Sequence, residues 1–103
     1  MNITYDKTNR ILKLEMVEEI DHCIAEKIRN KADFEIQEYT PKKVLMDFEN
    51  VSFMDSAGIG MILGRYKTAK MVGSELNITN VKPNIKKVLE MSGILKIIPI
   101  VEE

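Results

Sequence analysis

The chain has 103 residues, of which 45% are apolar and 30% charged, so it fits one globular domain with its own core rather than a disordered chain. The formal net charge of −1, with Lys and Arg scattered along the sequence, argues against nucleic acid as a partner, and no apolar stretch approaches the ~20 residues of a membrane span. A single cysteine, Cys23, cannot form an internal disulfide and no secretory leader is recognisable, so we expect a cytoplasmic protein.

The first half of the chain begins with two short segments in which apolar and polar residues alternate. Residues 2–6 and 10–16 are therefore predicted strands, joined as a hairpin by a turn at residues 7–9. Asp21 is placed to cap a helix that runs to about Tyr39 and stops before Pro41. The inner stripe of this helix comprises Ala25, Ile28, Ala32 and Ile36.

The second half repeats a strand-helix order. Residues 42–48 predict a buried central strand, and a helix follows from Ser56 to residues 71–72, with Gly73 at its C-terminal end. Residues 75–81 predict a strand, Pro83 opens a third helix, and Gly93 ends it, with Ile94 folding back onto the helix. Residues 95–101 predict a last strand, which Pro99 marks as peripheral or kinked.

This order of elements is two strands followed by three helix-strand crossovers. Crossovers of such length join parallel strands with right-handed connections. We therefore predict an α/β fold, in which a mixed sheet with an initial hairpin is packed with α-helices, as a single domain over residues 1–103.

Ser56 is the strongest candidate for a functional residue. It lies in the first predicted turn of the second helix, just beyond the C-terminal end of the central strand, where unpaired backbone N–H groups and the helix dipole favour negative charge. A hydroxyl there is either a plain helix cap or a site of modification or binding. Because Asp55 is the better cap, the Ser56 hydroxyl is expected to be free and exposed.

The known nucleotide and hydrolase motifs are absent around this serine. A dinucleotide-binding Gly-x-Gly-x-x-Gly would need glycine in place of Leu63, and no Gly-Lys-Ser/Thr of a phosphate-binding loop occurs. A hydrolase elbow would need glycine in place of Met54. The serine is thus placed to carry a phosphate rather than to attack a substrate.

Three glycines, Gly58, Gly60 and Gly64, lie within seven residues of the same helix. Each costs ~1 kcal/mol relative to alanine in a helix. They indicate either close packing of the helix on the sheet or a flat surface on which a partner approaches the backbone. In the second case Met61 is expected to stand on the outward face as an apolar contact.

The remaining polar residues give weaker signals. His22 and Cys23 are adjacent but have no second His or Cys, so we expect no metal site and no base-nucleophile pair. The acidic residues Glu18, Glu19 and Asp21 follow the second strand, at the same sheet edge as Ser56. They form either a solvated loop or a contact for a cationic partner site.

At these residues the chain resembles the STAS domain family, in its branch of sporulation anti-sigma factor antagonists. The resemblance rests on three stretches and on the acidic Glu19-Ile20-Asp21-His22 after the second strand. The three stretches are Ser52-Phe53-Met54-Asp55-Ser56-Ala57-Gly58-Ile59-Gly60, Leu63-Gly64-Arg65-Tyr66-Lys67 and Met91-Ser92-Gly93-Ile94-Leu95-Lys96-Ile97-Ile98.

The resemblance implies a regulatory switch rather than an enzyme, with no cofactor. In that branch the unphosphorylated protein binds an anti-sigma factor that is also a serine kinase, and the sigma factor is displaced. The kinase then phosphorylates the antagonist from ATP, and a metal-dependent serine phosphatase reverses the modification. We expect a monomer with no membrane partner.

Carried over by position, the resemblance makes Ser56 the phosphoacceptor, flanked by Asp55, with Asp21 at an acidic position nearby. The expected partner-binding surface comprises Asp21, Asp55, Ser56, Ala57, Gly58, Gly60 and Met61.

The sequence departs from the family pattern at three places. Ala57 stands where relatives often have a second serine, so Ser56 is the one hydroxyl of the motif, and Glu18 replaces a glycine. The chain stops at Glu103, where relatives usually continue into a final helix, so either this member is naturally short or that helix is missing from the sequence.

Two other functions fit parts of the sequence. The first is a STAS protein of another partner-switching system, in general stress or lipid transport. The second is a phosphoaspartate receiver that would use Asp47 of the central strand, but that fold does not open with a hairpin.

Overall fold

A four-stranded sheet forms the centre of the computed structural model, which describes residues 1–102. Its strands lie side by side in chain order and are Asn2–Asp6 (β1), Ile11–Glu15 (β2), Lys43–Asp47 (β3) and Glu75–Thr79 (β4). The pair β1/β2 is antiparallel, whereas β2/β3 and β3/β4 are parallel. The predicted mixed sheet with an initial hairpin is therefore confirmed.

The hairpin turn is organised by the carboxylate of Asp6. It accepts hydrogen bonds from the backbone N–H groups of Thr8 and Asn9, at 3.0 and 3.1 Å, and from the Asn9 side-chain amide at 2.8 Å. These bonds, the Asn9 side chain foremost, lower the pKa of Asp6. Arg10 completes the turn in the left-handed region, with φ of 56°, and so returns the chain into β2.

Three helices connect and follow the strands: His22–Tyr39 (α1), Ser56–Met71 (α2) and Pro83–Ser92 (α3). Because parallel crossovers are right-handed, α1 and α2 lie on the same face of the sheet, and they pack extensively against each other. α3 begins at Pro83 and is capped at its C-terminal end by Gly93, which adopts a φ of 80° that is strained for residues other than glycine.

The core lies between the sheet and its helices. Period-2 alternation turns one side of β2, β3 and β4 towards the helices, and the buried residues of that side are Leu12, Leu14, Val44, Met46, Leu76 and Ile78. The opposite side of the sheet is more polar: Asp47 is buried there and lies 3.3 Å from the ammonium group of Lys13.

The prediction of a last strand over residues 95–101 is mostly wrong. Ile94–Lys96 form a 3₁₀ turn, and only Ile100 joins the sheet, as a single parallel bridge to Ile78 on β4. Ile78 donates to the carbonyl of Pro99 and accepts from the N–H of Val101. Two features prevent a longer strand: Ile94 folds back into the core after Gly93, as expected, and Pro99 has no N–H to continue a ladder.

A buried ion pair fixes α2 against α1. Arg65, 3% exposed, places its Nε 2.7 Å from Oδ1 of Asp33 on α1, and its Nη1 donates to the carbonyl of Met61 at 3.2 Å. The Nε–H is not well aligned with that oxygen, so the contact is mainly ionic. Burial lowers the pKa of Arg65, whereas the charge of Asp33 acts in the opposite direction.

The first prediction concerns this pair. Asp33→Asn leaves the Arg65 charge buried without its counter-ion, so we expect a loss of about 3 kcal/mol in the free energy of unfolding, at the lower end for broken buried pairs because Asp33 is partly exposed. Urea denaturation measures it. The matched control is Glu75→Gln, which removes an exposed 3.9 Å contact with Lys43 and should cost less than ~1 kcal/mol. Equal losses in the two variants would contradict the proposed role of the buried pair.

Candidate functional site

Two loops meet at the carboxyl ends of β2 and β3. A single parallel bridge pairs Ile20 with Met54: the N–H of Ile20 donates to the carbonyl of Phe53 at 3.0 Å, and the N–H of Asp55 donates to the carbonyl of Ile20 at 3.1 Å. Both bridging side chains are buried in the core. The bridge therefore holds the first residues of α1 and α2 next to each other.

An aspartate caps each of these helix starts, as predicted. Asp21 accepts a hydrogen bond from the N–H of Ile24, and Asp55 accepts one from the N–H of Ala57, both at 2.9 Å. Ser56 is the first residue of α2 and is exposed. Within residues 1–102 its hydroxyl has no hydrogen-bond partner, so the group is available to an external reagent.

The loop that precedes Ser56 is fastened on both sides. The hydroxyl of Ser52 donates to Oε1 of Glu19 at 3.3 Å, and the side-chain amide of Asn84 on α3 donates to the Ser52 carbonyl at 2.9 Å. The ammonium group of Lys82 donates to the carbonyl of Glu49. These contacts, together with the bridge, fix the position from which Ser56 is presented.

The three glycines of α2 do not all have the same role. Close packing on the sheet was one interpretation of them, and a flat surface for a partner was the other. A Cβ on Gly58 would overlap the buried side chain of Met54, so this glycine serves close packing beneath the loop. A Cβ on Gly60 or Gly64 would meet no atom within 4 Å. The fold itself gives no reason for glycine at these two positions, which lie one and two turns beyond Ser56 on the same side of the helix.

The prediction that Met61 stands on the outward face is wrong. Its side chain is 4% exposed and belongs to the core cluster, because α2 buries a second side against α1 and Met61 lies on that side, one turn before Arg65. Its remaining surface lines a groove of about 590 Å³ between the two helices. Ala57, Gly60 and Gly64 line the same groove.

The structure thus brings together most of the predicted site residues. Asp21, Asp55 and Ser56 share one end of the sheet, and Gly60 continues their surface along α2, whereas Gly58 and Met61 face inward.

The buried ion pair of Arg65 and Asp33 was not predicted from the sequence. The sequence contained one indication of it. Arg65 lies four residues after Met61, so both are on one side of α2, and a charged residue on a side that packs against α1 needs a partner.

The exposed groups at this end of the described chain include the hydroxyl of Ser56, the carboxylate of Asp21 and the side chains of His22 and Cys23. Among the described residues, no three His, Cys, Asp or Glu side chains are grouped so that they could hold a metal ion. Cys23 and His22 are both exposed at the start of α1. None of the helices in residues 1–102 is long and apolar enough to cross a membrane.

Comparison with known proteins identifies relatives of the whole chain. The family model described as STAS domain matches residues 2–103. An anti-sigma F factor antagonist of Paenibacillus polymyxa is 34% identical over 100 residues, which cover 97% of this chain and 86% of the relative.

Two solved structures share the fold and 27% of the sequence. The anti-sigma factor antagonist SpoIIAA in its unphosphorylated form aligns with a TM-score of 0.82, over 99% of this chain and 88% of its own. The Bacillus cell fate determinant SpoIIAA in its phosphorylated form aligns with a TM-score of 0.72, over 99% of this chain and 91% of its own.

The second prediction separates the glycines by their effect on stability. Gly60→Ala and Gly64→Ala should each raise the free energy of unfolding by up to ~1 kcal/mol, because alanine favours the helix and its Cβ meets open space. Gly58→Ala should lower it, because overpacking costs about 1–3 kcal/mol and the buried Met54 leaves little room for adjustment. Thermal denaturation compares the three variants. A destabilised Gly60→Ala would mean that the fold needs this glycine.

Proposed function

The chain belongs to the STAS domain family, and from that premise we propose that it is an anti-sigma factor antagonist of the sporulation type, switched by phosphorylation of Ser56. The observation that carries the proposal is the exposed hydroxyl of Ser56 at the start of α2. It has no hydrogen-bond partner among the described residues and is presented by a fixed loop. The names of its relatives, and the existence of one of them in a phosphorylated form, support it.

In its unphosphorylated form the protein would bind an anti-sigma factor that is also a serine kinase, and the sigma factor would be released. This activity is that of a binding protein in the cytoplasm, where a sigma factor acts, and not that of an enzyme. The kinase then transfers the γ-phosphoryl group of ATP to Ser56: the Oγ–P bond forms, the bond to the β-phosphate breaks, ADP leaves, and the hydroxyl proton passes to a base of the kinase. A metal-dependent serine phosphatase hydrolyses the phosphoserine and restores binding.

The phosphate acts on the interface rather than on the fold. It adds a charge of about −1.5 to −2 at the N-terminus of α2, where the helix dipole favours an anion. Ser56 is exposed, so its modification displaces no core residue. A partner that binds over Ser56 would instead meet a desolvated anion beside the carboxylates of Asp55 and Asp21, without a counter-charge placed for it.

Gly60 and Gly64 extend the proposed surface beyond the serine. Each weakens α2 and answers no need of the fold, since a Cβ there would meet open space. A partner that lies against the helix backbone would explain why these positions are glycine. The surface therefore runs from the two aspartate caps along α2 beside the groove.

The alternative is a STAS protein of another partner-switching system, which would present the same serine to a different kinase. The two candidates differ in the partner and not in the site. A pull-down from a sporulating lysate, followed by mass spectrometry of the captured proteins, distinguishes them by the anti-sigma factor that is recovered.

The third prediction is that the cognate kinase phosphorylates Ser56 alone. Ala57 removes the neighbouring hydroxyl of the motif, and Ser56 is the exposed serine at the helix start. Incubation with kinase and ATP, followed by peptide mass spectrometry, locates the phosphate. Phosphate on Ser52, Thr68 or Ser92 would contradict the assignment.

The fourth prediction concerns binding to the nucleotide-loaded anti-sigma factor, measured by calorimetry. Ser56→Glu and Gly60→Arg should weaken binding by about a hundredfold or more, because each places an unpaired charge in the contact. Ser56→Ala should bind as the wild type but never switch off. All three should melt within a few degrees of the wild type, because positions 56 and 60 are exposed.

The control for these variants is Lys87→Glu, on the exposed side of α3, which should leave the affinity close to that of the wild type. Normal affinity for Gly60→Arg together with lost affinity for Lys87→Glu would place the interface elsewhere.

A further inference from the structure

Two large apolar side chains are exposed in the loops that the Ile20–Met54 bridge joins. Val17, after β2, is 42% exposed, and Phe53, before the bridge, is 50% exposed. Their chain neighbours Met16 and Met54 are buried, so the alternation along each loop turns Val17 and Phe53 away from the core. We propose that these two side chains are the apolar anchors of the docking surface, and that the partner receives them in an apolar pocket rimmed by Lys and Arg.

The fold uses the backbone of Phe53 and not its ring. The carbonyl of Phe53 accepts the bridge hydrogen bond from Ile20, which any residue could do. The ring is absent from the core cluster and from the residues that support it. An aromatic side chain held half in water by a fastened loop is a typical binding anchor, because it buries a large area at little cost in conformational entropy.

The positions of Val17 and Phe53 link them to the proposed switch. Phe53 is three residues before Ser56. Glu19, two residues after Val17, accepts a hydrogen bond from Ser52. The same partner can therefore cover Ser56 and both anchors. The inference rests on the proposed function and adds to it the residues that would supply affinity.

The charge around the anchors selects the chemistry of the partner. The loop after β2, residues 17–21, contains no Lys or Arg, and the exposed carboxylates of Glu18 and Glu19 lie beside Val17 on it. A second copy of this chain would set the same carboxylates opposite each other, which is repulsive. A cationic rim on the partner complements them and raises the rate of association.

The basic rim does not conflict with inhibition by phosphate. Glu18 and Glu19 lie on the loop between β2 and α1, whereas Ser56 lies on α2. The cations of the partner would stand opposite that loop. Opposite Ser56 the kinase must bring the phosphates of ATP, and a second phosphate there is repelled.

The fifth prediction tests the anchors by calorimetry with the nucleotide-loaded anti-sigma factor of the same organism and the full chain. Phe53→Ala should weaken binding about thirtyfold or more, as truncation of a central aromatic anchor does, and Val17→Ala should weaken it about three- to tenfold. Phe53→Leu should recover part of the affinity. Each variant should melt within a few degrees of the wild type, since neither side chain belongs to the core.

The matched control is Phe34→Ala, because Phe34 is 59% exposed on α1, away from the bridge; it should bind as the wild type. For the charged rim, Glu18→Lys should slow association, with Glu90→Lys on the exposed side of α3 as its control. The affinity of the wild type should decrease when the salt concentration is raised from about 0.05 M to about 0.5 M.

The outcomes are separable. If the wild type does not bind the anti-sigma factor, the proposed function is wrong, and with it the partner assigned to the anchors. If the wild type binds and Phe53→Ala binds equally well, the proposed function stands and the anchor role is wrong. If ultracentrifugation shows a dimer of the chain alone that Phe53→Ala abolishes, the patch is covered by a second copy and the proposal is overturned.

Discussion

The bridge between Ile20 and Met54 is the constraint on which the site depends. Its two backbone hydrogen bonds extend the contact between β2 and β3 beyond the regular sheet, after both strands have ended. Because α1 and α2 begin within two residues of it, the bridge sets both helix starts, their aspartate caps and Ser56 on one surface. Without it, the two loops would be free to separate, and the carboxylates and the serine would not form a common face.

Helix α2 combines demands from the core and from its exposed surface. Gly58 admits the Met54 side chain, and Arg65 ties the helix to Asp33 on α1, so one side of α2 is fixed by packing and charge. Gly60 and Gly64 lie towards the groove, where the fold would accept alanine. Such a helix is held in place mainly by its neighbours and less by its own propensity. This arrangement leaves its exposed backbone accessible beside the serine.

The arrangement also explains how a small modification could act without a conformational change. Ser56 is exposed and its loop is held by Glu19 and Asn84 through contacts with Ser52. In the proposed switch, a phosphate there would change the charge and shape of a fixed surface, and the anti-sigma factor would meet that change directly. The proposed switch therefore needs no second folded state of this chain.

The sequence by itself determined the three helices and the four strands of the sheet, the two aspartate caps and the place of Ser56, because caps and periodicity are local properties of consecutive residues. It also predicted the mixed sheet, since long crossovers join parallel strands. Only the tertiary structure decided what each side of α2 contacts: Met61 and Arg65 are buried because α1 packs there, and Gly58 differs from Gly60 only through the position of Met54. Residues 95–101 show the same limit, since their apolar residues fit a strand but the fold-back of Ile94 leaves only Ile100 bridged to β4. Contacts between distant segments depend on packing in three dimensions, which no local pattern encodes.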